Sequence, residues 1–120
     1  MNLDPEPLQP GATIGLLGGG QLAQMLVLTG HAMGFRFMGL EPNTNCPAAL
    51  AGDEQITANY SDPEALAKLA DSCRLVTYEF ENVDAEAVSW LEDRVDVPQG
   101  SEILRIAQNR LSEKKTIVRL

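Results

Sequence analysis

Two short stretches of this sequence place polar groups where a ligand could be held. The first is Gly18-Gly19-Gly20-Gln21-Leu22-Ala23, which fits G-x-G-x-x-A. It follows an apolar run and opens a helical pattern. Such a turn lets backbone amides and the positive end of a helix approach a phosphate-bearing ligand. Glu41 lies 21 residues past Gly20, at the end of the next apolar run. A dinucleotide site places there the acid that receives the ribose hydroxyls. The second stretch is Val76-Thr77-Tyr78-Glu79-Phe80-Glu81-Asn82, two carboxylates and an amide directly after an apolar run. In an open parallel sheet, ligands bind at the carboxyl ends of the strands. Glu79 can accept hydrogen bonds from a hydroxyl or an amine there. Both stretches also have simpler readings. Glycines serve tight turns that need φ > 0 or close packing, and an acidic loop can be a solvated surface.

The other chemistry-bearing residues read more plainly. His31 near the end of the first helical pattern suits the helix dipole. Met25 and Met33 have core-filling spacing, and Trp90 anchors its helix. Cys46 and Cys73 lack metal-type spacing, and no histidine is placed to activate Cys73 as a nucleophile. Lys114, Lys115 and Arg119 read as a solvated helix face.

The elements that must position these residues alternate. Ala12–Leu17 suits a strand buried on both faces. A helix follows from about Gly20, with Leu22, Met25, Leu26, Thr29 and Met33 at helical spacing and Gly34 placed as its C-terminal cap. Phe35–Leu40 reads as a strand, and Glu54–Thr57 as a short one beyond a turn-rich connection. Ser61-Asp62-Pro63-Glu64 opens a helix, either as a capping box on Ser61 or with Asp62 as the cap and proline behind it. Leu66, Leu69, Ala70 and Cys73 form that helix's buried stripe. Leu75–Tyr78 is a strand, Asp84 caps a helix to about Asp93, Asp96–Pro98 is a short strand and Ser101 caps the next helix. The alternation predicts an α/β fold with a mostly parallel, doubly wound sheet and helices on both faces.

The chain has 120 residues, 44% of them apolar, enough for one domain with its own core. Its formal charge is −8, and no basic patch is interleaved with aromatics, so nucleic acid is not an expected partner. Neither a signal peptide nor a membrane-spanning run is evident. The expected location is the cytoplasm, with both cysteines reduced.

Four segments occurring in order, "IGLLGGGQLAQML", "LEPNTNCPAALAGDEQITANYSDPEALAKLA", "VTYEFENVDAEAV" and "LRIAQNRLSEK", carry a specific resemblance. Together they resemble the N-terminal part of the 5-(carboxyamino)imidazole ribonucleotide synthases, ATP-grasp enzymes of purine biosynthesis. The likeness runs from about Ala12 to Leu120. Its specific marks are GGGQL, the pair Pro47-Ala48 with Asp53-Glu54, and YEFEN. It implies a Rossmann-like pre-ATP-grasp domain that binds no dinucleotide, and the acidic, proline-rich residues 1–11 before it read as a flexible arm. The domain covers 12–108, and 109–120 begins a truncated ATP-grasp domain, as the basic, uncapped helical pattern at the end suggests.

The resemblance implies that Gly20, Gln21 and Leu22 form a substrate loop, faced by Tyr78 and Glu79 across the carboxyl edge of the sheet. Arg110 matches an arginine that reaches the nucleotide phosphates. Ala23 stands where glycine is common, Asn109 where aspartate often precedes the arginine, and Glu41 where aspartate is frequent; Glu41 is assigned no ligand. The implied reaction uses ATP and Mg2+ to phosphorylate bicarbonate, and the carbon dioxide released is captured by the amine of 5-aminoimidazole ribonucleotide. The metal carboxylates and most of the ATP site belong to later domains, so no catalytic residue or metal ligand is assigned here and the 120-residue chain alone is expected to be inactive. The full-length enzyme is expected to be a homodimer. The rival readings are an NAD-binding oxidoreductase domain and a formate-dependent glycinamide ribonucleotide transformylase-like enzyme.

Overall fold

The computed structural model describes residues 7–51, 53–79 and 83–108. Its strands are β1 (Thr13–Leu17), β2 (Arg36–Leu40), β3 (Glu54–Ile56) and β4 (Leu75–Tyr78). They form one four-stranded sheet in the order β3-β2-β1-β4, with every pairing parallel. The helices are α1 (Gln21–Ala32), α2 (Pro47–Ala51), α3 (Pro63–Ser72), α4 (Ala85–Glu92) and α5 (Glu102–Gln108). Each parallel neighbour is reached through a crossover, as parallel pairing demands. The strand order reverses at β1, between β2 and β4, so the β1–α1 turn lies at the switch point of the sheet.

Alternation along β1 divides the core. Ile14 and Leu16 pack with Ala23 and Val27 of α1, Phe37 of β2 and Ala48 of α2. Leu17 joins the opposite side, where Leu66 and Leu69 of α3, Val88 and Leu91 of α4 and Leu104 of α5 meet Val76 and Met38. Gly15 faces that second side, and a Cβ there would stand 2.9 Å from Val76 and 3.0 Å from the Cys73 sulfur.

Local chemistry explains where the helices start and stop. Asp62 caps α3 by accepting from the amides of Glu64 and Ala65, with Pro63 at the first helical position. Of the two starts open in the sequence, the chain uses this one. Asp84 caps α4 through Glu86 N–H. Gly34 follows α1 with φ +90°, and its amide bonds back to the His31 carbonyl, as a left-handed helix stop requires.

Three expectations change. The apolar stripe of α1 is turned outward: Leu22, Met25, Leu26 and Met33 are exposed, while Ala23, Val27 and Gly30 are buried. Met25 and Met33 are therefore not core filler. Size decides this. The ring of Phe37 occupies the space where a Cβ on Gly30 would lie, so α1 meets the sheet through its smallest residues. Second, Asp96–Pro98 is no strand; only a single bridge, Leu75 to Asp96, forms there. Third, the turn-rich connection after β2 contains α2.

Candidate functional site

The β1–α1 turn is tied into the sheet at each glycine. Gly18, with φ +114°, donates to the Leu40 carbonyl at 3.1 Å, and the Gly19 carbonyl accepts from Ala48 N–H at 3.0 Å. Gly19 leaves no room for a side chain: a Cβ would stand 2.5 Å from the Cys46 sulfur and 2.6 Å from Cγ of Glu41. Gly20 N–H donates to Oε1 of Glu79 at 3.0 Å. The chain end of β4 and the turn after β1 therefore meet, as the switch-point topology dictates. Gly20 is the N-cap of α1 and gives it no side-chain cap, and the first turn carries no acid, so the amides that open the helix face this edge without a side-chain cap.

Glu79 carries the most telling atom. While Oε1 holds the turn, Oε2 is buried with no hydrogen-bond partner among the described residues. A buried carboxylate oxygen left unpaired costs about 1–3 kcal/mol or more, and native structures rarely leave one so without a functional reason.

Glu41 stands on the other flank. Its Oε1 accepts from the Tyr60 hydroxyl at 3.0 Å, and its Oε2 accepts from Asn43 N–H. Burial, the bond to Glu41 and the charges of Glu41, Glu79 and Cys46 all push the Tyr60 phenol above its ordinary value. Tyr60 thus remains a neutral donor to Glu41. Each Glu41 oxygen therefore accepts one bond from within the domain, which fixes the carboxylate's orientation beside the turn. Two carboxylates beside one turn also disfavour a phosphate there and favour donor groups such as an amine or hydroxyl.

The residues expected at the site divide. Gly20 and Glu79 are in direct contact. Gln21 and Leu22 follow on the first turn of α1, both exposed. The Tyr78 ring instead packs into the α3/α4 core, and its hydroxyl donates to the Gly100 carbonyl at 2.8 Å. Burial, with the charge of Glu92 second, raises its phenol pKa. Tyr78 thus reaches the edge through its backbone. Arg110, Phe80, Glu81 and Asn82 lie outside the described residues, as do Lys114, Lys115 and Arg119.

Sequence reasoning passed over several supporting residues. Gln99 lies beside the end of β4: its Oε1 accepts from Tyr78 N–H at 3.2 Å and its Nε2 donates to the Tyr78 carbonyl at 2.8 Å. A side chain thereby substitutes for a strand neighbour and holds the residue before Glu79. Asp53 ties β2 to α1, accepting from Phe37 N–H at 2.9 Å and contacting Nε2 of His31 at 2.8 Å. Burial works to raise the Asp53 pKa, but the bonds from His31 and Phe37 outweigh it and the net direction is down. Cys46, buried against Gly19, approaches Oε1 of Gln55 at 3.1 Å. A sequence signal existed only for Asp53, within the Asp53-Glu54 pair. Among the described residues, no group of three or more His, Cys, Asp or Glu side chains gathers to hold a metal, and no helix is long and apolar enough to cross a membrane.

Comparison with known proteins fits this geometry. The model of the ribonucleotide synthetase preATP-grasp domain matches residues 11–108. The N5-carboxyaminoimidazole ribonucleotide synthase of Bacillus subtilis is 46% identical over 110 residues, covering 92% of this chain and 29% of that protein. A crystal structure of an N5-carboxyaminoimidazole ribonucleotide synthetase with ADP superposes with a TM-score of 0.89 at 44% identity, over 93% of this chain and 30% of that one. The Aspergillus clavatus synthase, solved with ADP and 5-aminoimidazole ribonucleotide, gives 0.79 at 31% identity, over 91% and 29%. The chain thus spans about 30% of the length of the relatives it matches. With its parallel sheet, glycine turn and Glu79 at the switch point, the chain belongs to the ribonucleotide synthetase preATP-grasp domain family.

Proposed function

We propose that this chain is the substrate-binding part of an ATP-dependent carboxylase of purine biosynthesis. The full enzyme converts 5-aminoimidazole ribonucleotide, ATP and bicarbonate into 5-(carboxyamino)imidazole ribonucleotide, ADP and phosphate. Residues 12–108 bind the amino substrate, and 109–120 begin the ATP-grasp domain. Relatives of this chain have been solved with ADP, one of them with 5-aminoimidazole ribonucleotide as well.

The observation that carries the reading is the divided carboxylate of Glu79. One oxygen fixes Gly20 and the other is buried without a partner among the described residues. That oxygen suits a donor-rich ligand. The substrate's exocyclic amine and ribose hydroxyls are such donors, and its phosphate extends away from the two acids that flank the turn. Gly20, Gln21 and Leu22 supply backbone and side chain along the same edge. Tyr78 contributes by fixing the backbone that presents Glu79. Arg110 is assigned to the nucleotide phosphates.

Mg2+ and ATP, when bound to the full enzyme, would supply the activated bicarbonate; the described residues hold the acceptor amine in place for it. Positioning of this kind provides much of the rate in such transfers. The enzyme acts in the cytoplasm as a homodimer. In the full-length enzyme, Glu79→Ala should raise the KM for 5-aminoimidazole ribonucleotide at least tenfold and leave the KM for ATP within twofold. A change confined to the ATP parameter would remove Glu79 from the substrate site.

A further inference from the structure

Glu79 is the first residue past the ladder that joins β4 to β1, which ends at the Leu17–Tyr78 pair. β4 is also an edge of the sheet, so no further strand holds its outer side. The bond from Gly20 N–H to Oε1 fixes one corner of the Glu79 carboxylate. The group can still pivot about that corner. Where Oε2 points therefore depends on where the backbone of Glu79 stands, and that backbone needs an anchor of its own.

The anchor lies one residue back. Groups on one side of a strand recur at every second residue. On the outer side of β4, Val76 N–H donates to the Asp96 carbonyl at 2.9 Å. Two residues on, Tyr78 turns its N–H and carbonyl to the same side, and the Gln99 amide takes both. Oε1 of Gln99 accepts from Tyr78 N–H at 3.2 Å, and Nε2 donates to the Tyr78 carbonyl at 2.8 Å. Thr77 Oγ1 donates to the same Oε1 at 2.6 Å. A backbone N–H can only donate and a carbonyl can only accept, so the chemistry fixes which way the amide is turned.

Gln99 is itself held. Gly100 N–H donates to the Val97 carbonyl at 3.0 Å, closing a turn with Pro98 in its second place, where the fixed φ of proline belongs. Gly100 has φ +70°, and its carbonyl accepts from the Tyr78 hydroxyl at 2.8 Å. Both the backbone and the ring of Tyr78 are thus tied to Gln99-Gly100. Gln99 is exposed and belongs to neither core cluster, so its side chain adds little to the fold by burial. Its bonds converge on the two residues that lead into Glu79.

We infer that Gln99 is a positioning residue of the substrate site: its amide fixes the Tyr78 backbone, and so the direction in which Glu79 presents Oε2 to a donor group of the substrate. The inference rests on the reading of Glu79 as a substrate contact. It extends that reading to a residue acting through the backbone from a separate turn. Misplacing a positioned group by about 1 Å can cost about a hundredfold. At an exposed residue water replaces part of the lost bonding, so the effect here is smaller.

The test uses the full-length enzyme. Gln99→Met keeps the length of the side chain and removes its hydrogen bonds without adding charge. Gln99→Glu keeps the acceptor for Tyr78 N–H but turns an oxygen toward the Tyr78 carbonyl. Each should raise the KM for 5-aminoimidazole ribonucleotide about fivefold, with kcat and the KM for ATP within about twofold. The circular dichroism spectrum and urea midpoint should stay close to those of the unmutated protein, as for most exposed substitutions. The decisive measurement is the double variant. Because Gln99 acts through Glu79, adding Gln99→Met to Glu79→Ala should change the substrate KM by less than about twofold.

A fivefold rise that persists in the Glu79→Ala background shows Gln99 acting independently of Glu79 and overturns the inference. So does an unchanged substrate KM in both Gln99 variants, or a rise shared equally by substrate and ATP, which marks general loosening. If Gln99→Met does not fold, Gln99→Glu decides by the same split and the same double variant. If neither folds, Gln99 serves the fold and the inference falls. Glu79→Ala with an unchanged substrate KM removes the proposed substrate contact and this inference with it. An effective Glu79→Ala beside silent Gln99 variants removes this inference alone.

Discussion

The two faces of the sheet are built to different standards. On the α3/α4 side, sixteen buried residues form one cluster, with Leu69, Val76, Val88 and Leu91 fully inaccessible. On the α1/α2 side the described cluster has six, two of them alanines. The first face buries long aliphatic chains between three helices and the sheet. The second uses small residues so that α1 lies close, and leaves its bulk outside. The glycine turn and Glu41 sit at the carboxyl edge, held by hydrogen bonds, and Tyr60 reaches Glu41 from the side of the larger core. Large buried side chains are therefore concentrated on one face, and the other is thinner and built from smaller residues.

This contrast breaks if the two cores respond alike to truncation. Leu69→Ala removes a fully buried side chain from the centre of the larger cluster and should cost about 3 kcal/mol, transfer and cavity effects together. Val27→Ala, in the thinner layer, should cost about 1.5 kcal/mol, because it deletes less volume beside a helix with fewer large neighbours. Urea unfolding of the two variants at equal concentration measures both. Equal losses would mean that the α1 layer is as constraining as the other.

The larger core also has a pH signature. Burial, with the charge of Glu54 second, pushes the Cys73 thiol up to about 11 from an ordinary value of 9.0. A folded pKa raised above the unfolded one gives stability that is complete below pH 9 and lost as pH rises through about 11. The loss is bounded at about 3 kcal/mol, since each tenfold change in acidity is worth about 1.4 kcal/mol. Subtracting the alkaline stability profile of Cys73→Ala from that of the unmutated protein should expose this decline. A difference profile flat from pH 8 to 11 would show that the thiolate is tolerated in the α3 core.

Much of this architecture is legible in the residues. β1, β2 and β4 announce themselves as short apolar runs ended by glycine, proline or acids, and α3 and α4 by aspartate caps. These are local signals, each contained in a few residues. The inward face of α1 is not legible, because its sequence is apolar nearly all round and only contact with Phe37 selects the smaller side. Asp96–Pro98 looks like a strand in the sequence, since alternation cannot show that the side chain of Gln99 will take a strand's place beside Tyr78. At the site, the pairing of the glycine turn with Glu79 follows from motif and topology together. The Glu41–Tyr60 contact does not, because it joins residues from different loops that no spacing rule connects.

That contact provides the finest probe of the edge. Tyr60 donates to Glu41, whose Cγ would meet any Cβ on Gly19, and Gly20 beyond it is held by Glu79. Tyr60→Phe keeps the ring, which packs against the α3/α4 core, and removes only the hydroxyl. A hydrogen bond to a charged acceptor is worth about 1.5–3 kcal/mol, but Glu41 retains its bond from Asn43 and can turn toward water. The expected loss of stability is therefore about 1 kcal/mol. The functional consequence should be selective: a released Glu41 loosens the turn, so in the full-length enzyme the KM for 5-aminoimidazole ribonucleotide should rise about threefold to tenfold while kcat and the KM for ATP stay within twofold. Glu41→Gln, which keeps the acceptor for Tyr60 and abolishes the charge, should retain most of the substrate affinity. If Tyr60→Phe lowered kcat and left the substrate KM unchanged, the turn would not be set by this pair but by its bonds to Leu40, Ala48 and Glu79.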